Sequence, residues 1–149
     1  MSRFTVHADQ FFNAPTEVVF SHLCRNYATT QLLWDPAITE ISPTDPLALG
    51  SRALVTRIFR NRPQRGEMEV TDFREGDTVE VSIRFPKGVE RRRISCAPLN
   101  YGGTHLRVVI SSELSILARI IAPLTTGLIE RALVLSLRAA KPLVEATPQ

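Results

Sequence analysis

The stretch LSILARIIAPLTTGLIERALVLSLRAAKPLVEA, residues 114–146, decides how the chain is read. Leu117, Ile121, Leu124, Leu128, Ala132, Leu135 and Ala139 recur at steps of three and four, which places them in one stripe of a helix. Ile116, Ile120, Ile129, Leu133 and Leu137 widen that stripe beyond what one surface helix buries. Such a helix must be laid across a sheet or covered by a partner chain. Pro123 is expected to start or kink a helix, and Pro142 to kink or end one, because proline has no amide hydrogen and crowds the preceding turn. The regular stretch is therefore expected from Leu124 to Lys141.

Upstream of it the period changes to two. Phe4, Val6 and Ala8 alternate with Arg3, Thr5, His7 and Asp9 in a first strand over residues 3–12. Asn13-Ala14-Pro15-Thr16-Glu17 is a helix start, with proline at the first position and an acid in the first turn. A second short helix covers residues 28–33 and stops by Trp34-Asp35-Pro36, since the residue before a proline is pushed out of helical angles. From Ile38 to Ser112, breaks at 43–50, 61–63, 75–77, 86–88 and 100–103 separate alternating runs such as Val79–Phe85 and Leu106–Ile110. Strands joined by short turns make an antiparallel meander with one wet face. The order is that of a single α+β domain over residues 1–149: strand, two short helices, six strands, long helix.

Composition narrows the function classes. Hydrophobic residues make up 44% and charged residues 22%, as in ordinary globular chains. A net charge of +3 is mild for a nucleic-acid binder. Arg91-Arg92-Arg93, with Arg57, Arg60, Arg62 and Arg65, reads as a solvated face beside Glu67, Glu69, Glu80 and Glu90, without aromatics placed to stack on bases. Nucleic acid is thus not an expected partner. The start of the chain alternates instead of forming a secretory leader, and Arg119, Glu130, Arg131 and Arg138 interrupt the apolar C-terminal stretch, so no integral membrane segment is expected. The two cysteines, Cys24 and Cys96, form neither a metal spacing nor a disulfide framework, and a cytoplasmic location is expected. His7, His22 and His105 fall on different elements, so neither a metal nor another cofactor is expected.

Several short pieces recur in a recognisable order. They are Asn13-Ala14-Pro15 with Val18-Val19-Phe20, Trp34-x-Pro36-x-Ile38, Pro46-Leu47-x-x-Gly50 and Val70-x-x-Phe73 ahead of Val79. Gly102-Gly103-Thr104-x-Leu106 and a Leu137-Arg138-x-x-Lys141 ending complete the series. Over nearly its whole length the sequence resembles the START-like (SRPBCC) superfamily of helix-grip domains, which includes polyketide cyclase/dehydrase-like, Bet v 1-like and lipid-transfer proteins. The resemblance implies a curved seven-stranded antiparallel sheet wrapped around the long C-terminal helix, with two short helices after the first strand. It also implies a hydrophobic ligand cavity between sheet and helix.

Alternation assigns the inner face. Val79, Val81, Ile83 and Phe85 point inward, as do Met68 with Val70 and Leu106 with Val108 and Ile110. The same parity carries Asp72 inward beside Val70, and Arg92 inward beside Ile94 and Cys96. Ligand contacts are expected from Met68, Val70, Val81, Ile83, Phe85, Ile94 and Val108. Trp34 would roof one end, Leu124 and Leu128 would face in from the helix, and Asp72 or Arg92 would orient a polar end.

Three functions fit. The first is a carrier or sensor of a small hydrophobic molecule such as a lipid, polyketide or isoprenoid. The second is a polyketide cyclase/dehydrase-like enzyme, with Asp72, Arg92 and Tyr101 as acid–base candidates. The third is an interaction subunit whose apolar helix is buried against a partner or, in a homodimer, a second copy.

Overall fold

The computed structural model describes residues 2–34, 38–59, 61–86, 88–114 and 116–146, and their side chains except at 2–4, 32–34, 59 and 113–129. Strands β1 (Ser2–Phe12), β2 (Ile38–Ser42), β3 (Arg52–Phe59), β4 (Arg62–Arg74), β5 (Thr78–Phe85), β6 (Gly88–Pro98) and β7 (Thr104–Leu114) form one antiparallel sheet. Its order is β1-β7-β6-β5-β4-β3-β2. Helix α1 (Thr16–Phe20), a π-helical turn at Ser21–Arg25 and α2 (Tyr27–Trp34) follow β1, and α3 (Ile116–Glu145) closes the chain.

The alternating runs become one buried face. Val79, Val81, Ile83 and Phe85 of β5 are buried with Met68 and Val70 of β4, Ile94 of β6, and Leu106, Val108 and Ile110 of β7. Parity fails at one place. The β4–β5 register couples Val70 to Val81 and then Asp72 to Glu80, so a β-bulge inserts a residue into β4. Beyond it the faces exchange. Phe73 turns inward and meets the Phe20 ring edge-on at 5.6 Å, while Asp72 turns outward and accepts a hydrogen bond from Arg93 at 3.0 Å. The expectation of an inward Asp72 is therefore wrong.

Helix α3 also departs from expectation. It is a single 30-residue helix that runs through both Pro123 and Pro142. A proline removes one hydrogen bond from a helix, a loss that neighbouring turns and tertiary packing can outweigh. In the half whose side chains are described, the buried stripe is Leu133, Leu137, Ala140 and Val144. Ala132, Leu135 and Ala139, from the stripe expected to be buried, are exposed. Apolar residues cover so much of this helix that periodicity fits two stripes. Edge strand β1 selects between them: His7 N donates to the Glu130 carboxylate at 3.3 Å, and Asn13 N to Glu145 at 2.8 Å. These contacts dock α3 along β1 and cap backbone donors that an edge strand would otherwise present.

The short helices close the end of the sheet at the β4–β5 turn. Phe20 packs on Phe73, and Arg25 is ion-paired with Glu75 of that turn. The buried Thr104 hydroxyl donates to the Ala14 carbonyl at 2.8 Å, which fixes the start of β7 to the entry of α1.

Candidate ligand-binding site

A missing side chain builds the polar part of the inner face. Gly66 on β4 has inward parity, and a Cβ there would come within 2.7 Å of the Phe85 ring. With only hydrogen at Gly66, the ring lies over β4 toward β3. Arg57 of β3 stacks on it, with Cζ 3.7 Å from the ring centroid. The Arg57 Nε also donates to Gln64 at 3.1 Å.

From that platform Arg57 reaches Glu90 of β6. Arg57 Nη1 donates to Glu90 Oε2 at 2.6 Å, and Arg92 Nε donates to Glu90 Oε1 at 2.5 Å. Arg92 Nη1 lies 3.5 Å from the hydroxyl of Tyr27, a buried residue of α2. The side chains of Arg57, Glu90 and Arg92 are 22%, 7% and 11% exposed, so the cluster is largely dehydrated. Burial alone would raise the Glu90 pKa, but the charges of Arg92 and Arg57 and their hydrogen bonds hold it below the ordinary carboxylate value. Glu90 is therefore an ionised clasp between two guanidiniums and a poor proton acceptor at neutral pH.

Of the residues expected in the site, Met68, Val70, Val81, Ile83, Phe85, Ile94 and Val108 share the buried face, and Arg92 joins them. Asp72 does not, and Tyr101 sits 71% exposed in the β6–β7 turn. The side chains of Trp34, Leu124 and Leu128 lie outside those described. Arg57 and Glu90, expected on a solvated face, belong to the buried one. Both could have been read from the sequence. Glu90 has the parity of Arg92 and Ile94, and Arg57 has that of Ala53 and Val55.

A groove of about 560 Å³ on the outer face runs past Ser42, Arg52, Leu54, Glu69 and Arg84. Its charges are exposed cross-strand neighbours such as Arg52 and Glu69, 3.5 Å apart, and such pairs contribute little. The dehydrated charges lie on the other face, and that face is the candidate site.

Two solved structures match the architecture end to end. The protein TTHA0849 of Thermus thermophilus superposes with a TM-score of 0.79 at 14% identity, covering 98% of this chain and 100% of that one. A START superfamily protein of Mycobacterium smegmatis gives 0.74 at 17% identity, covering 95% and 97%. The chain has the helix-grip fold of the START-like superfamily. A third solved structure, that of Ara h 8.0201, gives 0.72 at 12% identity, covering 98% and 100%. No protein-family model and no curated protein matches the sequence. The expected helix-grip architecture, with its seven antiparallel strands, two short helices after β1 and long C-terminal helix, is thereby established. Among the described residues no helix is long and apolar enough to cross a membrane.

Within a helix-grip domain the cluster is well placed to orient a guest. The apolar side chains of β4, β5, β6 and β7 form a surface already withdrawn from water around the cluster. Arg57, Glu90 and Arg92 gather directional polar groups at one place on this face, with the Tyr27 hydroxyl of α2 beside them.

Proposed function

We propose that the protein binds a small, mainly apolar molecule between the inner face of its sheet and α3, as a carrier or sensor. The Arg57–Glu90–Arg92 cluster meets the polar end of that molecule. The buried cluster among apolar neighbours is the observation that carries this reading. Burying ions is costly, and a well-packed apolar replacement is often at least as stable, so stability alone is a weak reason for charges here. Among lipid, polyketide and isoprenoid guests, the cluster favours those with one polar end. Of the three acid–base candidates of the cyclase-like alternative, Arg92 alone lies on this face, so positioning is better supported than turnover.

Organic extraction of the purified protein, followed by mass spectrometry, tests the proposal. An amphiphile recovered in proportion to protein supports it. Protein that is empty and also fails to take up a panel of amphiphiles overturns it. The exposed Leu135 and Leu143 on α3 favour a second reading, a contact with another copy of the chain. Light scattering distinguishes a monomer from that assembly.

A further inference from the structure

We propose that the outward face of α3 docks the protein on an anionic membrane surface. Such docking goes beyond the binding reading above and does not depend on it. In the half of α3 whose side chains are described, Leu133, Leu137, Ala140 and Val144 face the protein interior. On the other side Arg131, Leu135, Arg138 and Pro142 are exposed, at steps of four, three and four that set them in one line along the helix. Ala132 and Ala139 are exposed beside that line. Leu135, 55% exposed, stands between the two arginines.

One exposed leucine means little, because folded proteins expose many apolar atoms. The charges around it mean more. Both acids of this half of α3 are committed to β1. Glu130 accepts from His7 N, and Glu145, just past the end of the line, accepts from Asn13 N with Lys141 3.6 Å away. The line itself carries no acid. Among the described residues Arg131 and Arg138 have no ion-pair partner, whereas Arg25, Arg52 and Arg93 each meet an acid. Nucleic acid would answer the arginines but set Leu135 and the alanines against its hydrophilic backbone. A second copy packed about a two-fold axis would set arginine against arginine, and like charges so placed are costly. An anionic bilayer surface meets both parts of the pattern. Its phosphates take the guanidiniums, and Leu135 passes between the headgroups. The arginine stems can lie in the same apolar zone while their charged heads stay wet.

Sedimentation of the intact protein with vesicles gives the test. One set is phosphatidylcholine alone, the other an equal mixture with phosphatidylglycerol. Binding to the mixture and not to the neutral vesicles is expected, and added salt should weaken it. Arg131→Gln with Arg138→Gln is expected to weaken it about thirtyfold, from about fivefold for each basic side chain at such a surface. Leu135→Ala should weaken it about tenfold, an effect that attraction of a merely basic protein does not require. Arg62→Gln with Arg65→Gln removes the same charge from exposed positions of β4 and should leave binding nearly unchanged. Absence of binding, equal binding to both vesicles, or equal losses in the two arginine pairs overturns the docking. A dimer in light scattering that Leu135→Ala dissociates also overturns it, because a second copy then holds the face.

Discussion

Arg57 and Glu90 meet at 2.6 Å although two strands, β4 and β5, lie between theirs in the sheet. The contact spans that gap because Gly66 has no side chain and Phe85 fills its place, giving Arg57 a surface to lie on. A small residue, a ring and a long cation together carry charge into an otherwise apolar face.

Glu90→Gln removes the shared anion and leaves two buried guanidiniums facing a neutral amide. The expected loss at about pH 7 is about 3–5 kcal/mol, the range for stripping one partner from a buried ion pair. The pH dependence has a definite sign. The folded pKa of Glu90 lies below the unfolded value, so its contribution is complete above about pH 4.3 and is lost as pH falls through the folded value. Urea denaturation at about pH 7 and about pH 3 should therefore show a smaller wild-type advantage in acid. An unchanged gap would mean that Glu90 is not held ionised by its arginines.

Gly66→Ala puts a methyl group against the Phe85 ring. Overpacking of this kind costs about 1–3 kcal/mol. Phe85→Leu, introduced with it, should recover part of that loss. A double-mutant cycle of denaturation midpoints measures the coupling. Strictly additive losses would show that the two side chains do not compete for space.

Asp72→Asn should be nearly silent, within about 1 kcal/mol in stability, because its partners Arg93 and Arg74 are partly exposed on the outer face. Affinity for any inner-face ligand should stay at the wild-type value. A large loss of affinity would return Asp72 to the site and contradict the β4 bulge.

Burial, and next to it the neighbouring Cys96, raises the Cys24 pKa, and both thiols are buried. Little Cys24 thiolate forms and neither sulfur is exposed, so a disulfide-exchange reagent should react with neither in the native protein. Both should react once urea unfolds it. Fast native labelling would place a thiol at a solvent channel.

The order of elements was legible because each signal is local. Alternation in Val79–Phe85 and Leu106–Ile110 needs only a strand with one wet face, and the pieces around Pro15, Gly50 and Thr104 mark its joints. The site was half legible. Arg92 kept its parity, but the bulge after Val70 cannot be counted from residue types, so Asp72 was carried to the wrong face. Arg57 and Glu90 were hidden by their company, because an arginine-rich run with nearby acids looks solvated until the strands are paired. On α3, apolar residues around most of the circumference left the choice of stripe to the glutamates that grip β1.

The most direct measurement is a proton–nitrogen correlation spectrum recorded while parinaric acid, a fatty acid, is titrated into the protein. The arginine Nε–Hε signals of Arg57 and Arg92 should shift together with the backbone signals of Met68, Val81 and Val108, while those of Arg52, Ser82 and Arg93 stay in place. Shifts confined to Arg52, Leu54, Ser82 and Arg84, around the outer groove, would contradict an inner-face site.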